Sequence, residues 1–150
     1  MDPALAYLHF LSIIAVGACL VTEFYLCTLD LQPPYVRILA RVDLLYLIAA
    51  VAVLVTGFAR LLESPKGTAF YLQNPVFYIK LALFVAVGLV SIAPTLQFLR
   101  WNRALKSGRE RVLNGRDIVS ARRYIVLELV LFAGIPLAAV LMARGIGIQR

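Results

Sequence analysis

Four long, continuous apolar runs constrain this chain more than any other feature of its sequence. They lie near residues 3–28, 43–62, 75–98 and 123–143. A run of about 20 apolar residues can cross the hydrocarbon core of a bilayer as a helix. Inside lipid the backbone needs internal hydrogen-bond partners, which leaves helices or closed barrels, and barrel strands alternate apolar and polar residues. Because these runs do not alternate, the sequence predicts four transmembrane helices.

The composition agrees with a chain built almost entirely of spanning segments. Hydrophobic residues make up 62% of the 150 residues and charged residues only 15%, with a mean hydropathy of +0.87. A soluble domain carries about half apolar and about a quarter charged residues. We therefore expect residues 1–150 to form a single domain, an all-α integral membrane protein folded as a four-transmembrane-helix bundle.

The net charge of +7 is concentrated between the third and fourth runs. Lys and Arg residues near the ends of spanning helices mark the cytoplasmic side of a membrane. The basic segment 99–123 is therefore predicted to be a cytoplasmic loop that contacts anionic lipid, and not a nucleic-acid site. This places both termini on the outer, periplasmic side of a bacterial inner membrane. The basic residues of the segment are Arg100, Arg103, Lys106, Arg109, Arg111, Arg116, Arg122 and Arg123.

Two ionisable residues lie inside predicted helices at a similar depth. His9, the only histidine, is six residues into the first helix, and Lys80 is five residues into the third. Both helices begin with a capping residue and a proline, Asp-Pro and Asn-Pro, which favour a helix start. At 1.5 Å per residue both side chains lie roughly 8–9 Å below the outer end. They predict an outer polar layer that also includes Arg60 and Met142, and the four residues of this layer are the candidates for binding a cofactor.

A second polar layer is predicted near the inner ends of the helices. Glu23 follows His9 by fourteen positions, so both side chains lie on nearly the same face of the first helix. That face is expected to point into the bundle, because an ionisable side chain in lipid is costly. We expect ion pairs and helix caps in this layer, with a proton path through Glu23 and Glu128 as the alternative. Its other predicted members are Arg41, Asp43 and Arg100.

His9 and Lys80 each have a structural and a functional interpretation. His9 is either bonded to a backbone carbonyl or water, or is a haem axial ligand or proton carrier. A haem needs only one protein ligand, whereas zinc and copper sites need three or four. Lys80 either extends to the headgroups or pairs with a carboxylate such as a porphyrin propionate. The sequence has no nucleophile triad, P-loop or dinucleotide-binding pattern, which disfavours a hydrolase or a nucleotide enzyme.

Three stretches resemble a family of uncharacterised bacterial four-helix membrane proteins: LHFLSI around His9, KGTAFYLQNPVFYIKLALF around Lys80, and SIAPTLQFLRW after it. The layout is more distantly similar to the HemJ-type protoporphyrinogen oxidase. That group has a histidine in its first helix and a Lys-Leu pair in its third, which correspond to His9 and Lys80. Its Tyr-Leu-Pro-Arg element reads YLCT at 25–28 here, and in place of its Asn-Glu-x-Pro element this chain has Glu128 and, eight residues on, Pro136.

The resemblance implies haem b bound through His9, with Lys80 required for activity on a porphyrinogen. The predicted function is therefore an inner-membrane haem- or porphyrin-binding redox protein that passes electrons to a quinone or another acceptor. A homodimer with twofold symmetry would bring two His9 rings together. The alternatives are a small permease or assembly partner that uses His9 and Glu23 as proton sites, and a purely structural bundle.

Overall fold

The computed structural model describes residues 2–29, 32–63, 67–108 and 115–144, apart from the side chains of residues 69, 70 and 143. All regular structure in these residues is helical. Four of the helices are long and apolar enough to cross a membrane, which confirms the predicted fold class. In chain order the helices are α1 (Pro3–Leu26), α2 (Pro33–Leu62), α3 (Thr68–Leu72), α4 (Pro75–Lys106) and α5 (Gly115–Ala143).

The cap sequences of α1 and α4 explain where these helices begin. Asp2 Oδ1 accepts a hydrogen bond from the backbone N–H of Ala4 at 2.9 Å. Asn74 Oδ1 accepts one from the backbone N–H of Val76, also at 2.9 Å. A proline follows each cap at the first helical position, where its missing N–H costs nothing. These contacts confirm the two predicted helix starts.

Three predicted helix boundaries are wrong, and all lie toward the α1–α2 and α4–α5 connections. α2 begins at Pro33 and not near residue 43, because proline is tolerated in the first turn of a helix and here starts one. α4 continues to Lys106 and not to residue 98. α5 begins at Gly115 and not at residue 123. The additional turns are amphipathic, so a search for continuous apolar runs does not detect them.

The four long helices form two antiparallel pairs. α1 packs mainly on α2, and α4 mainly on α5, while α2–α4 and α1–α5 contacts join the pairs. The order around the bundle is therefore α1, α2, α4, α5. We call the end where α1 and α4 begin the terminal end, and the end where they finish, at Leu26 and Lys106, the loop end.

Two apolar cores fill the bundle at different levels. The core at the loop end uses the additional turns of α2, α4 and α5, and it consists of Leu26, Cys27, Val36, Leu39, Phe98, Trp101, Ala121 and Ile125. The second core lies nearer the middle of the bundle and consists of Val16, Leu20, Tyr46 and Ala49. Packing of these side chains, and not only hydropathy, therefore determines how far the helices extend.

The outward faces of the helices are apolar. Large hydrophobic side chains are exposed on all four long helices, among them Ile14, Val55, Leu89 and Val130. In water such a continuous apolar surface would promote association, whereas in a bilayer it contacts acyl chains. The fold is therefore suited to lipid on all sides.

The predicted sidedness remains a prediction. It concerns the termini and the basic loop, and residues 1, 109–114 and 145–150 lie outside the described part of the chain.

Candidate functional site

His9, Arg60 and Lys80 form a basic cluster toward the terminal end of the bundle. They come from α1, α2 and α4, and all three side chains are half-buried. The charges of Arg60 and Lys80 both act on the His9 imidazole, and Arg60 also acts on Lys80. The structure thus brings together three of the four residues predicted for the outer layer, while their roles stay predictions.

The His9 ring is anchored to α2 through Nδ1. This atom lies 2.9 Å from Thr56 Oγ1. The Thr56 hydroxyl already donates its hydrogen to the Ala52 carbonyl at 2.6 Å, so the Thr56 oxygen accepts from the ring N–H. The Val53 carbonyl is a second acceptor beside the ring. With the hydrogen on Nδ1, the lone pair of Nε2 in the neutral ring is left to accept a proton or bind a metal ion.

Gly57 allows α2 to approach this ring closely. A Cβ atom at position 57 would lie 3.2 Å from His9 Cε1 and 3.8 Å from His9 Nδ1. Any larger residue would press on the imidazole, so the ring orientation depends on the Gly57 backbone as well as on the Thr56 hydroxyl. Sequence reasoning missed both residues. The available signal was that Thr56 precedes Arg60 by four positions, which places the two on one helix face.

The two cations of the basic cluster lie over aromatic rings. Arg60 Cζ is 5.1 Å from the centroid of the Phe10 ring, and Lys80 Nζ is 6.0 Å from that of Phe77. Such cation–π contacts help to position the charges without neutralising them. Within the described residues, the charges that act on His9 and Lys80 are all positive. The cluster is therefore an electropositive site that suits an anion.

Met142, the fourth residue predicted for this layer, is half-buried near the end of α5. No described contact joins it to the basic cluster. Its predicted role as a cofactor ligand remains a prediction.

Glu23, Asp43 and Glu128 form an acidic cluster nearer the loop end. They come from α1, α2 and α5, and are 2%, 7% and 1% exposed. Both glutamates lie close enough to Asp43 for their charges to interact, and Glu128 also acts on Glu23. The spacing of fourteen residues between His9 and Glu23 correctly placed both side chains on the inward face of α1.

Few hydrogen bonds satisfy the acidic cluster. Thr95 Oγ1 of α4 donates to Asp43 Oδ1 at 2.6 Å. The Tyr46 hydroxyl lies beside the Glu128 carboxyl group. Within the described part of the chain, Oε1 of Glu23 and Oε1 of Glu128 have no hydrogen-bond partner. Buried oxygens of this kind are rare in proteins, so the cluster requires a physical explanation.

The predicted ion pairs with Arg41 and Arg100 require correction. Both arginines are exposed. No positive charge in the described residues acts on Glu23, Asp43 or Glu128. Arg41 precedes Asp43 by two positions, so their side chains lie on opposite sides of α2. Similar depth in the membrane therefore did not bring the opposite charges together.

A family model described as a predicted membrane protein, DUF2214, matches residues 1–147 of the chain. The chain belongs to the DUF2214 family. No curated protein and no solved structure matches it. Membership of DUF2214 agrees with the four spanning helices and confirms the predicted resemblance to a membrane protein family.

Proposed function

We propose that the basic cluster binds an anionic, mostly apolar ligand within the membrane, and that this ligand is haem b or a related porphyrin. One observation carries the proposal. A histidine whose Nδ1 is anchored to Thr56 lies with two cations, Arg60 and Lys80, that have no described counter-charge. An imidazole and two positive charges are the groups needed by a haem iron and its two propionates.

The residues of the basic cluster fit a haem better than a metal ion held by side chains alone. Metal-binding histidines usually donate their other ring N–H to an acceptor, as His9 does to Thr56. A single imidazole is enough to hold haem iron. A zinc or copper ion needs three or four ligands, and the described residues contain no group of three His, Cys, Asp or Glu side chains arranged for one. His9 would hold the iron, and Arg60 and Lys80 the propionates.

A redox role follows from the same proposal. Bound haem supplies one-electron chemistry that side chains do not, and the cysteines in the described residues, Cys19 and Cys27, are free thiols. The resemblance of His9 and Lys80 to the histidine and lysine of the HemJ-type protoporphyrinogen oxidase, drawn from the sequence alone, would imply an oxidoreductase that acts on a porphyrinogen. Lys80 would then be the candidate catalytic residue, and it would hold a carboxylate of the porphyrinogen in place of a haem propionate. Electrons would leave to a quinone or another acceptor, and a homodimer could supply a second His9 ring.

Absorption spectroscopy tests the proposal. Protein purified in detergent from cells supplied with a haem precursor should show a Soret band, and His9→Ala should abolish it. Lys80→Met and Arg60→Met should each weaken haem retention about tenfold, because each removes one charge-assisted hydrogen bond. Arg103→Met is a matched control, since Arg103 is exposed near the opposite end of α4.

Two results would contradict the haem assignment. One is wild-type protein without a Soret band, and the other is a band that survives in His9→Ala. Protein that binds neither haem nor metal-free porphyrin would favour the alternative, a small permease or assembly bundle in which His9 and Glu23 are polar sites.

A further inference from the structure

The acidic cluster of Glu23, Asp43 and Glu128 is sealed inside the bundle. The loop-end core lies on one side of it. There Leu26 is about one turn after Glu23 in α1, and Leu39 is about one turn before Asp43 in α2. The middle core lies on the other side, with Leu20 and Tyr46. Placing three carboxyl groups between two apolar cores is costly, because ionised groups lose hydration there. The cluster therefore needs a compensating positive charge.

No side chain in the described residues supplies that charge. The groups that face Glu23 are Asp43, Glu128, the Tyr46 hydroxyl and the thiols of Cys19 and Cys27. Thr95 donates its hydroxyl to Asp43, and the Tyr46 hydroxyl lies beside Glu128, while Ser91 in turn bonds to Tyr46. One cation, Arg122, acts on Cys27, but no cation in the described residues acts on the three carboxyl groups. The described neighbours of the carboxyl groups are therefore hydroxyls, thiols and further acids.

A divalent metal ion held by these side chains does not fit the arrangement either. The described residues contain no group of three His, Cys, Asp or Glu side chains placed to hold one. In contrast, Oε1 of Glu23 and Oε1 of Glu128 are each without a partner and closed to solvent. A proton needs only a single such oxygen, and it removes the negative charge at the point where it binds.

We propose that Glu23, Asp43 and Glu128 form a proton-binding site inside the membrane, which holds at least one exchangeable proton at neutral pH. The proton converts a carboxylate to a carboxylic acid, which lowers the charge of the cluster and gives it an O–H donor. Glu23 and Glu128 carry the unpartnered oxygens and are the main acceptors, whereas Asp43 is held by Thr95. The site is separate from the basic cluster and does not depend on haem binding there.

Infrared spectroscopy of wild-type protein in dodecyl maltoside, a detergent without a carbonyl group, tests this proposal. A carboxylic acid has a C=O stretch that a carboxylate lacks, and the band shifts when its proton exchanges for deuterium. We expect this band at pH 7 and a shift in D₂O. Glu23→Gln and Glu128→Gln should each remove part of it. Glu63→Gln is the control, because Glu63 is exposed at the end of α2 and its removal should leave the band unchanged.

Thermal unfolding adds a measurement that separates proton binding from a structural ion pair. Glutamine resembles a protonated glutamic acid in shape and charge, so Glu23→Gln and Glu128→Gln should unfold at or above the wild-type Tm. An ion-paired carboxylate would instead lose stability when its charge is removed. If a variant does not fold, the pH dependence of the band in the wild-type protein still tests the site.

Three results would overturn the proposal. The first is wild-type protein without a carboxylic acid band at pH 7. The second is a band that keeps its full intensity in both glutamine variants. The third is a band that forms only after Na⁺ and K⁺ are removed, which would show that a monovalent cation compensates the cluster.

Discussion

His9 Nδ1 and Thr56 Oγ1 lie 2.9 Å apart, although 47 positions separate the two residues in the chain. The contact joins α1 to α2 at the level of the basic cluster. It also determines which ring nitrogen carries hydrogen, because the Thr56 hydroxyl hydrogen is already donated to Ala52. The orientation of the proposed ligand-binding nitrogen is therefore a product of the helix–helix contact.

The tautomer of His9 can be measured directly, because it is the only histidine in the chain. We expect ¹⁵N-histidine-labelled protein in nanodiscs, free of haem, to carry hydrogen on Nδ1 when the ring is neutral. The nitrogen chemical shifts distinguish the two neutral forms. A ring protonated only at Nε2 would contradict the hydrogen-bond assignment.

Replacing Thr56 by valine should lower stability by about 1 kcal/mol, because His9 loses its side-chain acceptor. Thr22→Val is the matched control. Thr22 is exposed and makes the same bond to the carbonyl four residues earlier, Thr22 Oγ1 to Ala18 O at 2.7 Å, without a partner on another helix. Thermal unfolding in detergent compares the two variants. Equal losses would show that the His9 contact contributes nothing.

Gly57→Ala should destabilise the protein by about 1 kcal/mol, because the new methyl group presses on His9 at 3.2 Å. Gly88→Ala is the control, since no atom lies within 4 Å of a Cβ atom at that position. Alanine there should be neutral or favourable by up to about 1 kcal/mol. The His9 nitrogen resonances should move only in Gly57→Ala, and unchanged resonances would argue against the close contact.

Thr95 and Asp43 should be energetically coupled. Their hydrogen bond of 2.6 Å is partly buried and joins α4 to α2. A double-mutant cycle with Thr95→Val and Asp43→Ala, each of which removes one partner of the bond, should give a coupling of about 1–2 kcal/mol, measured by unfolding in one detergent. Additive effects of the two substitutions would mean that the bond does not contribute to the stability of the bundle.

Cys27 should react slowly with alkylating reagents despite its position just beyond α1. Burial raises the pKa of the Cys27 thiol to about 12, and the thiolate is the reactive form. In a Cys19→Ala background, alkylation of Cys27 at pH 8 should be roughly 100-fold or more slower than alkylation of a thiol with an ordinary pKa. The rate should increase as the pH rises. The control is a cysteine at the exposed neighbouring position, made as Thr28→Cys in a chain whose two native cysteines are replaced by alanine. Similar rates at the two positions would contradict the buried placement.

Local sequence signals predicted the terminal end of the bundle better than the loop end. The starts of α1 and α4 depend on a capping side chain and a proline within a few residues, and both were correct. At the loop end the helices continue beyond the apolar runs as amphipathic turns. Their buried faces include Val36 and Trp101, which pack on residues of other helices. A sequence window cannot identify that partner surface, so it ended the helices too early.

In the two polar layers, too, the sequence predicted what depends on local spacing and missed what depends on the facing helix. The helical spacing of His9 and Glu23 correctly placed both on one inward face. The sequence did not identify Thr56 and Gly57, because neither is ionisable. Their importance depends on His9, which lies on the facing helix α1. Arg41 was assigned to the inner layer by depth alone, but it is exposed.

The sequence by itself determined that this chain forms apolar helices long enough to span a membrane, since hydropathy and capping are local properties. Only the tertiary structure decided which ionisable groups meet. The rotation of each helix about its axis is set by packing between helices, and a turn of 100° per residue is enough to move a charge from the core to lipid. Packing placed His9 against Thr56 and gathered three carboxyl groups without a described cation.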